Sequence, residues 1–302
     1  MRVLVTRHDK IGDFITSLPM CKILKDQTEH KIVMLVSKIN YDLASRLDFI
    51  DEVIEYTDDV FELSKRIREK NIDVSISGYI ENKLGIALII AGVKKRIAPA
   101  TKIAQIFFND TLKQRRSEVK KTEWQYNLDL VKHFDENLKL DFQKPLLNTK
   151  KKRENITIFH VGSGGSSDGN LSLDDYLRLA KAVSEKSEVV FTFGPDDIED
   201  KEYIKNHLKF DANIRDDFKS IWDLTNFISI SKIFISTSTG PMHLAGLTNT
   251  KTVSFFGANL FASAKRWSTI SDVELQNNFE VPVDYTNELY QDIQKTLLSK
   301  IS

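Results

Sequence analysis

The stretch Ser236-Thr237-Ser238-Thr239-Gly240-Pro241-Met242-His243 gathers four hydroxyls, a glycine, a proline and a histidine at one junction. The apolar run Ile233-Phe234-Ile235 before it reads as a buried strand, and Gly240 and Pro241 open a helix. Free N–H groups at a helix start, together with the helix dipole, favour a bound anion. Thr239 adds a hydroxyl donor, Gly240 lets a phosphate approach, and Pro241 stands where its missing N–H costs little. His243 lies about one turn further on. Alone it would read as a packing histidine; beside three other donors it reads as part of the anion site. A second stretch, TRHDKIGDFITSLP (6–19), sets Asp13 at the start of another helix. An isolated Asp at such a place caps the helix. An Asp facing a ligand acts as a general base, and Gly12 beside it permits close backbone approach.

Two more loops follow strands. HVGSGGSSDGN (160–170) holds Ser163, Gly164 and Ser166. Such loops point successive N–H groups at an anion, or are plain surface loops. The spacing fits neither a Walker A loop nor GxGxxG. GPDDIEDKE (194–202) clusters carboxylates that either hold ribose hydroxyls or sit solvated at a helix start. The solvated reading is preferred for most of them, and the cluster lacks metal-ligand spacing.

These loops need a frame to hold them. Apolar strands at 2–6, 31–37, 50–56 and 72–78 alternate with helices at about 13–26 and 60–71, with Pro19 expected to kink the first helix. The pattern turns irregular over 99–125, and 142–155 reads as a linker. It restarts with strands at 156–162, 188–194 and 252–257, helices at 173–187, 199–208 and 219–230, and a C-terminal helix carrying Tyr285, Leu289, Ile293, Leu297 and Leu298. Alternation of this kind predicts an α/β fold: two Rossmann-like domains with mostly parallel sheets facing a cleft, and ligands at the carboxyl ends of strands. The expected domains are 1–148, 149–283 and a final helix, 284–302.

The chain has 302 residues with 43 basic and 43 acidic side chains, a balance that argues against general nucleic-acid binding. The single Cys21 excludes an internal disulfide and a cysteine-based zinc site, and suits a reducing compartment. The N-terminus does not read as a signal peptide, and no apolar run reaches the ~18–20 residues that span a bilayer. The most apolar window is 84–93.

STGPMHLAG, followed by a strand ending in Phe255-Phe256-Gly257, resembles the D-[ST]-G-x-x-H-L-A motif of the glycosyltransferase family 9 heptosyltransferases. RHDKIGDFITSLP resembles their R-x-D-x-[IL]-G-D-x-x-x-[ST]-L-P motif. AGVKKRIAP (91–99) and HVGSGGS (160–166) resemble two further motifs, in the same order, so the resemblance spans about residues 1–267. It implies a GT-B fold whose C-terminal helix crosses back onto the first domain, and inverting transfer of heptose from ADP-heptose to the inner core of lipopolysaccharide or lipooligosaccharide in a Gram-negative bacterium. It implies no metal and no other cofactor. Asp13 then matches the base, and Thr239, Gly240 and His243 match donor-phosphate contacts. Ser238, Ser163, Gly164 and Ser166 join the donor side; Gly12, Lys10 and Arg96 join the acceptor side. The implied partners are a nucleotide-sugar and a lipid A–Kdo acceptor. The implied place is the cytoplasm, with peripheral contact at the inner face of the inner membrane.

Two departures stand out. Ser238 replaces the family Asp, and Gly169 lies near the place of a basic residue that contacts donor phosphate. Lys10, Lys265 and Arg266 are candidates to replace that charge. The departures keep open a different donor sugar, or a weakened relative that binds nucleotide-sugar without transfer. An NAD-dependent Rossmann enzyme is the third class, disfavoured by the missing GxGxxG.

Overall fold

The apolar runs become strands that are covered on both faces, as parallel sheets require. In the computed structural model, which describes residues 1–162 and 169–301, the chain divides into two units, 1–146 and 147–302. The division falls inside the expected linker.

The first unit contains β1 (Arg2–Thr6), α1 (Ile11–Gln27), β2 (Lys31–Val36), α2 (Lys38–Ala44), β3 (Glu52–Glu55), α3 (Val60–Glu69), β4 (Val74–Ser77), α4 (Asn82–Ile90), β5 (Lys95–Pro99), β6 (Asp110–Leu112) and α5 (Glu123–Phe134). The second contains β7 (Ile156–His160), α6 (Leu173–Ser184), β8 (Glu188–Thr192), α7 (Ile198–His207), β9 (Asn213–Arg215), α8 (Ile221–Ile230), β10 (Ile233–Thr237), α9 (Gly240–Leu247), β11 (Lys251–Phe256), α10 (Ala264–Trp267), β12 (Gln276–Glu280) and α11 (Asn287–Ile301). The strand orders are β3-β2-β1-β4-β5-β6 and β12-β11-β10-β7-β8-β9, with every pair parallel.

Counted within each unit, both orders read 3-2-1-4-5-6, the Rossmann order. The order reverses between β1 and β4 in one sheet and between β7 and β10 in the other. Crevices at such switch points take ligands. Three of the four candidate loops of the sequence follow β1, β7 and β10, and the fourth, 194–202, follows β8.

Val3, Leu4 and Val5 of β1, and Ile233, Phe234 and Ile235 of β10, are fully buried. Each such side chain contributes roughly 1.5–3 kcal/mol by leaving water. The pattern hid the short edge strands β6, β9 and β12, which carry few apolar residues. It also hid α4, which is apolar on most sides and shows no clear period.

α1 runs unbroken from Ile11 to Gln27 through Pro19. The C-terminal helix, expected to cross back to the first domain, is α11. Tyr290, Ile293, Leu297 and Ile301 of α11 join the second unit's core with Leu179, Val183 and Phe255, and α11 packs on α6. This buried face completes the core of the second unit.

Candidate functional sites

In the first unit, Arg7 follows β1 directly and is 4% exposed. Its Nε donates to Asp9 Oδ1 at 2.9 Å, its Nη1 to the Gly78 carbonyl at 2.9 Å just past β4, and its Nη2 to Asp13. Glu123 of α5 lies 3.5 Å from Nη1 and pairs in turn with Arg116 at 2.5 Å. One guanidinium at the switch point thus faces three carboxylates. Burial disfavours its charge, but Asp9, Asp13 and Glu123 outweigh burial and push its pKa up. Asp9 responds oppositely: burial, with help from Asp13 and against Arg7, raises its pKa to about 6.

Asp13 is the third residue of α1, not its cap. The cap position is Lys10, whose exposed side chain makes no capping bond. Gly12 lies beside Asp13 in the same first turn. Asp13 is therefore aimed by Arg7 rather than by the helix end, and its side chain remains 17% exposed. A held, partly open carboxylate can accept a proton from a hydroxyl brought to it.

A second group collects at the strand ends of the same sheet. His8 Nε2 lies 3.1 Å from Glu81 Oε1, and Tyr56 donates its hydroxyl to the same oxygen. The His8 ring stacks on Tyr56 at 4.2 Å and meets Tyr79 edge-on at 5.2 Å. Lys102 Nζ stands 4.5 Å over Tyr79. His8, Tyr56, Tyr79 and Lys102 lie just beyond β1, β3, β4 and β5. The His8 hydrogen bond leads in lowering the Glu81 pKa. Lys102 has φ 60° and ψ 165°, backbone angles nearly reserved for glycine, and strain of this kind gathers at ligand clamps. None of these partners was read from the sequence, because His8 and Glu81 are separated by 73 positions.

Arg96, expected on the acceptor side, is half-buried within β5. Its Nε donates to the Phe107 carbonyl at 2.8 Å and its Nη1 to the Val93 carbonyl at 2.6 Å. These bonds tie down the connection after β5.

In the second unit, α9 starts at Thr239, whose side chain makes no capping bond to the helix. Thr239 Oγ1 instead donates to the Thr237 carbonyl at 3.3 Å. Gly240 and Met242 therefore begin the helix without a side-chain cap, and Pro241 brings no N–H. The half-buried Ser238 is fixed by its own N–H, which donates to the Phe255 carbonyl at 2.9 Å. His243 is 3% exposed, and burial lowers its pKa to about 4. At neutral pH it is therefore a neutral ring, not a cation. Its ring meets Trp267 edge-on at 6.3 Å, and the Arg266 guanidinium lies 5.1 Å over Trp267. A positive charge thus stands one ring away from His243, at a residue the sequence had marked as a replacement.

Two glycines explain themselves by contact. A Cβ at Gly162 would lie 1.9 Å from Asp197 Oδ2, so the glycine makes room for that carboxylate. Asp197 is 9% exposed and accepts from the Gly194 N–H at 2.7 Å, which separates it from its solvated acidic neighbours. Nearby His160 is driven down to about 4 by burial, against the pull of Asp197. A Cβ at Gly169 would lie 2.1 Å from the Phe256 carbonyl carbon and 2.3 Å from the Gly257 nitrogen. No basic side chain fits there, which accounts for that departure. Ser163, Gly164 and Ser166 lie outside the described residues. Among the described residues, no group of three or more His, Cys, Asp or Glu side chains is placed to hold a metal ion.

The model of glycosyltransferase family 9 (heptosyltransferase) matches residues 60–280. A Haemophilus influenzae protein carrying a provisional glycosyltransferase name is 33% identical over 318 aligned positions, covering 95% of this chain and 91% of that protein. Among solved structures, Escherichia coli ADP-heptose lipopolysaccharide heptosyltransferase II superposes with a TM-score of 0.81 at 17% identity, covering 100% of this chain and 98% of the other. A family 9 glycosyltransferase of Veillonella parvula gives 0.79 at 13% identity, with coverages of 99% and 97%. Escherichia coli heptosyltransferase WaaC with ADP gives 0.75 at 14% identity, covering 100% of both chains. These likenesses agree with two Rossmann-like sheets of the GT-B fold class, and the family match settles the family: the chain belongs to glycosyltransferase family 9.

Proposed function

We propose that this glycosyltransferase is a metal-independent, inverting enzyme that transfers heptose from ADP-heptose to a Kdo-bearing lipopolysaccharide or lipooligosaccharide core. The observation that carries the reading is Asp13, held by Arg7 at the β1/β4 switch point with part of its carboxylate open. An acceptor hydroxyl attacks the donor's anomeric carbon while Asp13 accepts its proton. The leaving diphosphate rests on the uncapped start of α9, with Thr239 and Gly240 at the helix entry and His243 as a neutral donor. Arg266 supplies the cation for which Gly169 leaves no room. Asp197 holds the donor's ribose. Lys102, stacked on Tyr79 beside His8, meets the acid group of the acceptor. The acceptor is lipid-anchored, so the enzyme works at the inner face of the inner membrane, from the cytoplasm.

A second reading rests on Ser238. With a hydroxyl where the family has a carboxylate, the site fits a related nucleotide-sugar. The test is a panel of nucleotide-sugars, ADP-heptose first, followed by thermal shift and by nucleoside diphosphate release in the presence of a delipidated Kdo-bearing core. ADP-heptose should give both binding and acceptor-dependent release. Stabilisation by another nucleotide-sugar alone would move the donor assignment, and binding without release would make the protein a non-catalytic relative.

A further inference from the structure

The chain is neutral overall, with 43 charges of each sign, but residues 94–116 carry seven Lys or Arg and one acidic residue, Asp110. Asp110 is occupied by His133 and Lys95. Lys94, Lys102 and Lys113 are exposed and form no ion pair among the described residues. The same segment holds a 3-10 turn, Ile103–Phe107. In a 3-10 turn, side chains three apart eclipse one another, so Ile103 and Ile106 share one side. They are 80% and 71% exposed, whereas the neighbouring Ala104 and Phe108 are each 5% exposed.

The turn cannot retract. A Cβ at Gly85 of α4 would lie 2.5 Å from Phe107 Cβ, so Phe107 is clasped directly against the helix. One turn along the same face of α4 stands Ile89, 46% exposed. Three isoleucines thus stand exposed on a turn and the helix it packs against, in a segment that also carries the exposed Lys94, Lys102 and Lys113. Isolated exposed apolar side chains need no explanation, but exposed isoleucines in a lysine-bearing segment are the pattern of an interfacial anchor. The lysines attract an anionic surface, and the isoleucines enter its apolar boundary.

We infer that the Ile103–Phe107 turn and the adjoining face of α4 form a docking surface for an anionic lipid bilayer. Lys102 precedes the turn and also stands over Tyr79, at the acceptor end of the first sheet. The turn therefore delivers that end of the sheet to membrane-borne substrate. This last point, and only this, rests on the proposed function.

The test uses the full chain and two kinds of vesicle, phosphatidylcholine alone and phosphatidylcholine with phosphatidylglycerol. The wild type should float with the anionic vesicles, and less so as salt rises. Ile103→Ser/Ile106→Ser should weaken binding roughly tenfold or more, since both side chains leave the interface. Its melting temperature should hold, because neither residue is buried. Lys94→Glu/Lys113→Glu should weaken binding to the anionic vesicles alone. The isoleucine variant should transfer sugar normally to a delipidated acceptor and poorly to the same acceptor in vesicles. The inference falls if the wild type does not prefer anionic vesicles, or if the isoleucine variant binds as the wild type does. It also falls if this surface proves to be a contact between two copies, seen as a dimer by light scattering that the isoleucine variant dissociates, without vesicle binding. Vesicle binding with no transfer to any acceptor would support the docking surface and sink the transferase reading.

Discussion

The switch points of the two sheets are built on the same strand order and filled in opposite ways. At β1/β4 the charge is fixed: Arg7 is buried among Asp9, Asp13 and Glu123. At β7/β10 the described groups are hydroxyls, an uncapped helix start, two buried imidazoles, His160 and His243, whose pKa values fall to about 4, and a single carboxylate, Asp197, set against Gly162. A site that moves a proton needs its carboxylate aimed before substrate arrives. A site that receives a multiply charged anion gains by offering donors without a resident counter-ion. The difference between the units is the difference between holding a charge ready and leaving room for one.

The sharpest way to break this contrast is to remove the reactive carboxylate while keeping its shape. Asp13→Asn should lower turnover by roughly 10²–10⁴-fold, the usual worth of a positioned base, with donor binding by thermal shift nearly unchanged. Turnover close to wild type would remove Asp13 from the mechanism. Next comes the guanidinium that aims it. Arg7→Met leaves buried carboxylates uncompensated and should cost about 3–5 kcal/mol in urea unfolding. A loss below about 1 kcal/mol would mean the cluster is not held by its charge.

The smallest expected effect concerns acid. His160 and His243 fall from 6.5 to about 4, so between those values the unfolded chain binds more protons than the native one. Stability therefore rises with pH across that window and is lost on acidification, by about 2 kcal/mol per histidine at pH 5. Asp9, raised from 3.8 to about 6, works the other way: the native state binds more protons there, so acid favours it. The second unit should thus be the acid-labile one. His243→Gln should flatten the fall in melting temperature between pH 7 and pH 5; an unchanged slope would show that His243 titrates normally.

Legibility in the sequence followed the range of the interaction. β1, β7 and β10 were readable because a strand covered on both faces must be apolar throughout. The helix start at Thr239-Gly240-Pro241 was readable because glycine and proline mark such a junction. The neutrality of His243 was not, since it depends on tertiary burial of the ring, with Trp267 against it. Nor was the Arg7–Glu123 pair, whose members come from β1 and α5. The apolar spacing of the last helix identified a helix, but spacing cannot say which surface will cover it. Ser238 was marked by resemblance alone, and its N–H bond to the strand edge gives it a structural task as well.

Gly169 has a consequence for anyone who would rebuild the missing basic contact. With the backbone of Phe256 and Gly257 filling the space of its absent side chain, a single reversion to lysine would wedge the loop off β11 rather than restore a charge. Engineering a stronger grip on the donor should instead begin at α10, where the Arg266–Trp267 stack already reaches His243 and where the helix has room to take a second cation at Ala264, which is only partly buried. Whatever cation meets the donor, position 169 is closed to it by backbone.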